Sequence, residues 1–221
     1  MKIIDCKQYD SKWWEVRRGV PSASEFGSII TPAKGEYSTA SSTYACQLVA
    51  DYYDSFYGMQ EEYVSVAMRN GTDMEPRVRK FYEFHRDCEV TEVGFCLSDD
   101  GRFGCSPDGL VGDEGGTEIK SPKLSTQIKY LDKGVLPPEY KPQVHACLWI
   151  TGREWWDFLS YAPGLPELLI RVTPDDYTKK LAECADKFWE DYQALKKKIA
   201  DRRELAIDER IAATEIEESY F

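Results

Sequence analysis

The feature that most constrains the fold of this chain is a pair of short segments joined by a turn rich in glycine and aspartate. The first segment, 102–106, runs into Ser106–Gly109, and the second, 116–121, contains Glu118 and Lys120, with the hinge Asp113–Gly116 before it. Glycine and aspartate are typical of tight turns, so the pattern predicts two strands that form a hairpin. Alternate residues of a strand project to the same face, so Glu118 and Lys120 should point together.

This hairpin would bring together the side chains of a metal-dependent nuclease site. Two carboxylates, Asp108 and Glu118, suit a hard divalent ion such as Mg²⁺, and the carbonyl of Ile119 can add a third oxygen. Lys120 can position or deprotonate an attacking water and stabilise charge on a phosphate. The alternative interpretation is a surface ion pair, because Asp and Glu-x-Lys occur by chance in any acidic protein.

Periodicity and turn signals elsewhere predict one α/β domain over residues 1–221, with a mixed central sheet flanked by helices. Predicted helices cover about 38–57, 61–70, 73–85, 125–132, 141–151 and 174–205, the last continuing into an acidic tail. Predicted strands cover 89–97, 102–106, 116–121, 155–161 and 168–172, and the first three are predicted to form an antiparallel meander.

Local details accompany these elements. Asn70-Gly71 is predicted to break a helix, which places Glu75 in the first turn of the next one. Thr173 is predicted to cap the long C-terminal helix, whose apolar stripe packs on the domain. His85 is predicted to lie in the core or at its boundary. One tryptophan of each adjacent pair, at 13–14 and 155–156, is predicted to be buried.

The charge of the chain limits how it can meet DNA. A net charge of −11 argues against loose coating of DNA, because Lys and Arg supply most of the affinity for phosphates. The charge is segregated, however. Residues 1–34 carry six basic against four acidic side chains, whereas the last 21 residues carry seven acidic against three basic ones. One surface can therefore receive an anionic ligand while the rest repels it.

Cysteines and apolar runs exclude further classes. The seven cysteines form no C-x-x-C pair, so neither a disulfide framework nor a zinc or iron–sulfur site is expected. No apolar run approaches the ~20 residues of a membrane-spanning helix. The N-terminal apolar stretch is too short for the core of a signal peptide, so the chain is expected to stay in the reducing cytoplasm.

Four separated motifs together resemble the lambda-exonuclease-like family of phage recombination nucleases, the YqaJ-type viral recombinases of the PD-(D/E)XK nuclease superfamily. In chain order they are Arg17–Glu25 (RRGVPSASE), Gly71–Glu75 (GTDME), SPDG at 106–109 with EIKSP at 118–122, and Gln143–His145 (QVH). They fall within about residues 13–161, and their combination is far more specific than any one of them. The resemblance implies a restriction-endonuclease-like core.

The resemblance also implies roles for individual residues. Two Mg²⁺ ions would be held per site, with Mn²⁺ able to substitute, and the implied ligands are Asp108, Glu118, Ile119 and Glu75. Lys120 would serve the attacking water, and Gln143, on the helix after the meander, would complete the site. The second Gln of the family pattern is replaced by His145, for which a structural role is favoured over catalysis.

A second set of residues would hold the DNA end. The resemblance places Arg17, Ser24 and Ser106 on a terminal 5′-phosphate, a role suited to one guanidinium and two hydroxyls. Met68 would be an apolar wedge that helps to separate the two DNA ends. Lys34 belongs to the basic N-terminal segment implied in DNA binding.

Two points of this second set depart from the family pattern. Arg17 and Arg18 are ambiguous by one residue as the phosphate ligand. Thr126 stands where the family has an arginine, so Lys123 or Lys129 would substitute.

The implied activity is a 5′-to-3′ exonuclease that resects one strand of a duplex end and leaves 3′ overhangs for phage recombination by strand annealing. A bacterial host, a homotrimeric ring and a single-strand annealing protein as partner are implied with it. The alternatives are an endonuclease or 3′-end nuclease of the same superfamily, and a non-catalytic module that binds DNA ends. Activity on a circular duplex separates the endonuclease from an end-dependent enzyme.

Overall fold

The structure, a computed structural model, describes residues 1–54 and 66–218, with side chains described except at 66–73 and 208–218. The helices in these ranges are α1 (Ser11–Arg17), α2 (Ser41–Tyr53), α3 (Val66–Arg86), α4 (Leu124–Lys133), α5 (Lys141–Thr151) and α6 (Asp176–Glu218). The strands are β1 (Lys2–Ile4), β2 (Val90–Thr91), β3 (Phe95–Leu97), β4 (Gly104–Cys105), β5 (Gly109–Val111), β6 (Gly115–Lys120), β7 (Trp155–Ser160) and β8 (Leu168–Val172). Short 3₁₀ turns lie at Ala23–Ser28 and Pro138–Tyr140.

A five-stranded mixed sheet in the order β2-β5-β6-β7-β8 forms the centre of the molecule. Strands β5 and β6 form an antiparallel hairpin, with Val111 opposite Gly115, whereas β6 and β7 run parallel. The prediction that 102–106 is the hairpin partner of β6 is wrong, because that segment forms β4 of a separate sheet and the partner is β5, which was not predicted as a strand. Parallel neighbours need a crossover connection. Residues 121–154, which contain α4 and α5, supply it, so the predicted mixed α/β architecture is confirmed.

Glycines at the start of β6 have a packing role beside their place in the predicted turn. A Cβ added to Gly115 would lie 2.1 Å from the Trp155 ring, and one added to Gly116 would lie 2.3 Å from the Trp156 ring. Trp156 is fully buried and Trp155 is half-buried, so the prediction of one buried tryptophan in this pair is confirmed.

The prediction of a three-stranded antiparallel meander is wrong. The segment 89–97 divides into β2, which joins the central sheet, and β3, which joins a separate sheet of order β1-β3-β4. The division occurs around Gly94, where a Cβ would lie 2.2 Å from the carbonyl oxygen of Cys6. Strand β3 pairs with β4, which lies within the predicted segment 102–106, and the N-terminal strand β1 pairs with its other side.

Helix α3 differs from its prediction in three ways. It runs unbroken through Asn70-Gly71, so Glu75 lies in the middle of the helix and not in its first turn. An internal glycine costs about 1 kcal/mol of helix stability, and burial of Val78 and Tyr82 against the central sheet offsets it. His85 is exposed and not in the core; its ring lies 4.1 Å from that of Phe81 on the surface.

Helix α6 covers one side of the molecule, as its apolar stripe predicted. Tyr177, Leu181, Cys184, Phe188 and Tyr192 lie in the main core, and the helix continues to Glu218, beyond the predicted end near 205. The predicted cap at Thr173 is wrong.

Asp175 accepts hydrogen bonds from the backbone N–H groups of Tyr177 and Thr178, at 2.8 and 3.1 Å, and therefore fills the capping role predicted for Thr173. No helix within the described ranges combines the length and apolar character required to cross a bilayer.

Some predicted elements fall partly on residues that the structure does not describe. The helix predicted over 38–57 is observed as α2, and its predicted last residues, 55–57, lie outside the described ranges. The same holds for 61–65 of the next predicted helix. Helices predicted at 125–132 and 141–151 are confirmed as α4 and α5 within a residue at each end.

Candidate active site

The hairpin brings two acidic side chains close together, Asp108 from the residues that lead into β5 and Glu118 from β6. Asp108 lies just before β5, and its Oδ2 accepts a hydrogen bond from the backbone N–H of Ile119 at 2.5 Å. On β6, Lys120 Nζ lies 2.5 Å from Glu118 Oε1. The two side chains share a face, as the alternation of a strand requires. The predicted grouping of Asp108, Glu118 and Lys120 is thus present in the structure.

Helix α5 adds an amide to this group. Gln143 Nε2 donates a hydrogen bond to Glu118 Oε1 at 2.7 Å. The same oxygen therefore contacts both Gln143 and Lys120, while the second carboxylate oxygen, Oε2, is buried and has no hydrogen-bond partner. Glu118 is only 1 % exposed. A buried carboxylate oxygen without a partner is costly, and a bound cation is one way to satisfy it.

Helix α3 brings a third carboxylate, Glu75, through an arginine that the sequence analysis did not single out. Arg79 Nη2 lies 2.5 Å from Glu75 Oε1, and its Nε donates to the backbone carbonyl of Asp108 at 3.1 Å. Its remaining nitrogen pairs with Glu92. The i,i+4 spacing of Glu75 and Arg79 was a signal for this pair, but the contacts to Asp108 and Glu92 depend on tertiary structure. We call Glu75, Asp108 and Glu118 the carboxylate cluster.

The electrostatics of the carboxylate cluster show mutual repulsion. Burial and the neighbouring Glu118 raise the pKa of Asp108 well above its ordinary value, against the opposing effect of Lys120. Burial also raises the pKa of Glu75, although Arg79 opposes the shift. For Lys120, burial disfavours the charged form, but Glu118 and Asp108 outweigh it and raise the pKa. Lys120 is therefore a firmly charged ammonium group in this arrangement.

The donor set fits a hard divalent cation. Within the described part of the chain, no three His, Cys, Asp or Glu side chains form a metal-binding group by themselves. Two carboxylates, Asp108 and Glu118, and one backbone carbonyl are nonetheless available. The N–H of Ile119 points toward Asp108, and the N–H and C=O of a strand residue face the same edge. Mg²⁺ commonly binds one or two carboxylates, with waters and substrate phosphates completing its coordination.

A second group of polar side chains lies at the end of α1, and we call it the arginine–serine pocket. Arg17 donates to Ser106 Oγ at 3.3 Å and to Ser22 Oγ at 3.4 Å. The hydroxyls of Ser22 and Ser24 are 2.8 Å apart. The structure thus brings together Arg17, Ser24 and Ser106 as predicted, and it favours Arg17 over Arg18 as the pocket residue.

Two members of this pocket were missed as site residues. Ser22 is buried and links Arg17 to Ser24. Trp13 is also buried; its Nε1 donates to Ser106 Oγ at 2.9 Å, and the Arg17 guanidinium lies 4.2 Å from its ring centroid. The prediction that one of Trp13 and Trp14 is a core residue is confirmed. Ser22 stands inside the RRGVPSASE motif, so its position was visible but its contacts were not.

A cleft of about 550 Å³ opens beside the carboxylate cluster. Glu75, Arg79 and Asp108 lie on one side, and residues 5–9 of the N-terminal segment lie on the other. Gln8 Nε2 donates to the backbone carbonyl of Pro107 at 3.2 Å, which fixes this segment against the turn that carries Asp108. The volume is within the range of small-molecule sites.

The remaining predicted site residues do not join either group. Lys123 and Lys129 are exposed, the first just before α4 and the second on it. Lys34 is exposed on a turn, and its backbone carbonyl accepts a hydrogen bond from Lys180 Nζ at 3.5 Å. The Met68 side chain lies outside the described residues.

His145 is buried against α6, where its Nδ1 is 2.8 Å from Thr178 Oγ1. The prediction of a structural role for His145 therefore agrees with its location.

Comparison with known proteins identifies the family of this chain. Residues 12–154 match the YqaJ-like viral recombinase domain. The chain belongs to the YqaJ-like viral recombinase family. This match covers the four motifs that carried the sequence resemblance, which is thereby confirmed. No curated protein matches the chain.

Solved structures support the same assignment. LHK-Exo in complex with dAMP is 30% identical, with a TM-score of 0.77, and the match covers 89% of this chain and 100% of that one. LHK-Exo, an alkaline exonuclease from Laribacter hongkongensis, is 31% identical in a second structure, with a TM-score of 0.69 and coverage of 87% and 99%.

A phage-related exonuclease from Haemophilus somnus 129PT is 12% identical, with a TM-score of 0.58 and coverage of 80% and 96%; it supports the fold alone. The chain has the PD-(D/E)XK type of core, and the LHK-Exo matches support a nuclease role.

Proposed function

We propose that this viral recombinase is a Mg²⁺-dependent 5′-to-3′ exonuclease that acts on the ends of double-stranded DNA. The observation that carries the proposal is the adjacency of the two polar groups. Ser106 of the arginine–serine pocket and Asp108 of the carboxylate cluster are two residues apart in one SPDG turn, a span of at most ~7 Å. A terminal 5′-phosphate held in the pocket leaves the next phosphodiester beside the carboxylates.

The residues divide the work of hydrolysis as follows. Asp108, Glu118 and the carbonyl of Ile119, with Glu75 nearby, hold the divalent ions, two per site, for which Mn²⁺ can substitute. When bound, such ions lower the pKa of water and neutralise charge on the phosphate. The ammonium group of Lys120 positions the attacking water and stabilises negative charge as it develops on the scissile phosphate. Gln143 keeps Glu118 in place through its 2.7 Å hydrogen bond.

In this proposal, the arginine–serine pocket determines the direction of digestion along the strand. A guanidinium and three hydroxyls suit a terminal phosphate dianion better than an internal phosphodiester, because a monoester carries more charge and more acceptor oxygens. The solved LHK-Exo complex contains dAMP, a nucleotide of the kind that such an enzyme releases. Cleavage that begins at the 5′ end leaves a 3′ single strand, the substrate for recombination by strand annealing.

The assembly and context belong to the same proposal. A homotrimeric ring would retain the enzyme on DNA despite its net charge of −11, since the electrostatic affinity of an acidic monomer is low at physiological salt. Exposed lysines such as Lys34, Lys123 and Lys129 would face the DNA. The enzyme would act in the bacterial cytoplasm, on phage DNA, beside a single-strand annealing protein. A stable monomer mass by light scattering at micromolar concentration would contradict the ring.

The experiment compares duplexes that differ only at their ends. Linear duplexes labelled at the 5′ or 3′ end, with a 5′-phosphate or a 5′-hydroxyl, are digested in Mg²⁺ or in EDTA, beside a covalently closed circle. We expect the 5′-phosphorylated strand to release mononucleotides in Mg²⁺ but not in EDTA. The covalently closed circle should stay intact in both. Cleavage of the circle would indicate an endonuclease. Release of nucleotides from the 3′-labelled end would indicate the opposite direction of digestion. Binding without cleavage would indicate a non-catalytic module.

A further inference from the structure

Tyr9 has a backbone conformation that an aromatic residue rarely adopts. Its φ is +69°, in the left-handed region, which is uncommon outside glycine, asparagine and aspartate. The N–H of Asp10 donates to the carbonyl of Lys7 at 3.1 Å, so residues 7–10 form a turn with Tyr9 at its third position. A turn with positive φ only at this position is of type II, and glycine is the usual residue there.

The turn is held in place from both sides. The Asp10 carboxylate accepts hydrogen bonds from the N–H of Lys7 at 2.9 Å and from the N–H of Trp13 at 2.7 Å, where it caps α1. Gln8 is bonded to the carbonyl of Pro107. The turn is therefore fixed relative to both α1 and the SPDG segment, and so is the direction in which the Cα–Cβ bond of Tyr9 leaves the backbone.

The Tyr9 ring packs on a residue of the arginine–serine pocket, and Tyr9 lines the cleft beside the carboxylate cluster. Its centroid is 4.9 Å from that of Trp13, which contacts Ser106 and Arg17 of the arginine–serine pocket. Tyr9 also lines the cleft that Glu75 and Asp108 border. The ring is 60 % exposed, whereas Trp13 is buried and its indole N–H is already bonded. Of the two residues, Tyr9 is the one that is exposed and lines the cleft.

We propose that Tyr9 stacks on the base of the nucleotide whose 5′-phosphate occupies the arginine–serine pocket. The inference rests on the proposed function and extends it to a residue that positions the terminal nucleotide. The ring packs on Trp13, which contacts Arg17 and Ser106, and it lines the cleft that Asp108 borders, so it lies within reach of a nucleotide held at these residues. Stacking tolerates any base, because every base has a π-face, as an enzyme that removes successive nucleotides requires.

The test measures binding of dAMP and of the matching base-free compound, 1,2-dideoxyribose 5-phosphate, by titration calorimetry. The proteins are wild type, Tyr9→Gly and Tyr9→Phe, with Tyr52→Ala as a control at an exposed tyrosine of α2. Glycine suits the left-handed backbone of residue 9, so Tyr9→Gly removes the ring without adding strain. Stacking of a base on an aromatic ring corresponds to roughly 5- to 150-fold in affinity.

We expect wild type, Tyr9→Phe and Tyr52→Ala to bind dAMP at least ~5-fold more tightly than the base-free phosphate, and Tyr9→Gly to bind the two equally. An undiminished preference for dAMP in Tyr9→Gly would overturn the inference. So would equal binding of the two compounds by wild type. Neither result depends on cleavage, so failure of the exonuclease assay would refute the proposed function separately.

Duplexes give a second readout. A 5′-phosphorylated end with an abasic first nucleotide should raise KM for wild type and leave KM for Tyr9→Gly unchanged relative to a normal end. The preference for 5′-phosphate over 5′-hydroxyl should survive in Tyr9→Gly, because Arg17 and the serines are intact. An equal effect of the abasic end on both proteins would contradict the stacking role.

Discussion

The carboxylate cluster and the arginine–serine pocket lie on the same turn but differ in how complete they are. In the cluster, three acidic groups repel one another, two of them have raised pKa values, and Glu118 Oε2 has no partner. In the pocket, Ser22, Ser24 and Ser106 each have a hydrogen-bond partner, and the guanidinium lies over a tryptophan ring. One group has an unsatisfied carboxylate oxygen and repulsion between its carboxylates, whereas the other is held by hydrogen bonds among its own side chains.

This difference indicates a division between the two steps of recognition. A preformed pocket can select a phosphate end without rearrangement, because its side chains are held by one another. Under the proposed function, a bound cation would offset the charge of the cluster. Changes in the cluster should therefore act through metal and chemistry, and changes in the pocket should act through the choice of DNA end.

The largest expected effect comes from the neutral variant Glu118→Gln. Glutamine keeps the shape of the side chain but removes the charge that holds the metal. Metal ions contribute several kcal/mol to such reactions, so we expect cleavage in Mg²⁺ to fall by ~10³-fold or more. The measurement is the single-turnover rate on 5′-phosphorylated duplex, with the exposed Glu190→Gln as the control.

Binding of the same duplex to Glu118→Gln, measured by anisotropy in Ca²⁺, should remain close to that of wild type, because the pocket is untouched. Wild-type cleavage by this variant would remove Glu118 from the metal site. Loss of end binding together with cleavage would mean that the two groups are not separable.

An intermediate effect is expected from Arg17→Ala, which removes the charge of the pocket. A charge-assisted hydrogen bond contributes about 1.5–3 kcal/mol, so the preference for 5′-phosphorylated over 5′-hydroxyl ends should drop by roughly 10- to 100-fold. The ratio of kcat/KM on the two substrates measures this. Arg18→Ala is the matched control and should keep the preference, and the reverse outcome for the two variants would assign the phosphate to Arg18.

The smallest effect concerns stability without metal. Because the pKa of Asp108 is raised in the folded state, this carboxyl stabilises the fold below its ordinary pKa of ~3.9 and loses that contribution as the pH rises through the raised value. Asp108→Asn removes the charge, so in EDTA at pH 8 it should unfold at a higher temperature than wild type. Each kcal/mol corresponds to roughly 2–4 °C for a chain of this size.

The gain for Asp108→Asn should disappear near pH 4, where the wild-type carboxyl is protonated, and calorimetric scans at the two pH values test this. Mg²⁺ should raise the melting temperature of wild type more than that of the variant. Asp132→Asn, at an exposed position of α4, should show neither effect. Equal melting temperatures of wild type and Asp108→Asn at pH 8 in EDTA would mean that the charge of Asp108 does not destabilise the folded state.

Sequence predicted the parts of this architecture that depend on neighbours in the chain. Helices α4 and α5, strand β6 and the shared face of Glu118 and Lys120 follow from turn residues and from period-two or 3.6-residue spacing, so they were predicted nearly as observed. The hairpin partner of β6 was not, because β5 lies in the stretch whose glycines and aspartates indicate a turn. The unbroken course of α3 through Gly71 was not, because packing of Val78 and Tyr82 outweighs the local cost of glycine.

Long-range partners account for the rest. The pairing of β1 with β3 joins residues more than 90 positions apart, and no local pattern encodes it. Arg79 links Glu75, Glu92 and Asp108 only because a helix, a loop and a hairpin meet. Resemblance of the motifs predicted Arg17, Ser24 and Ser106 as pocket residues. The contacts by which Ser22 and Trp13 link them are visible only in the three-dimensional structure.

The contact between Gly115, Gly116 and the two tryptophans of β7 has a consequence for how this sequence can evolve. The glycines leave the room that the rings fill, so neither side can change size independently. A lineage that enlarges residue 116 must first accept a smaller residue at 156, and the intermediate sequence carries either a clash or a cavity. We expect substitutions at these positions to occur in pairs across homologues, so that the start of the catalytic strand drifts more slowly than the turn before it.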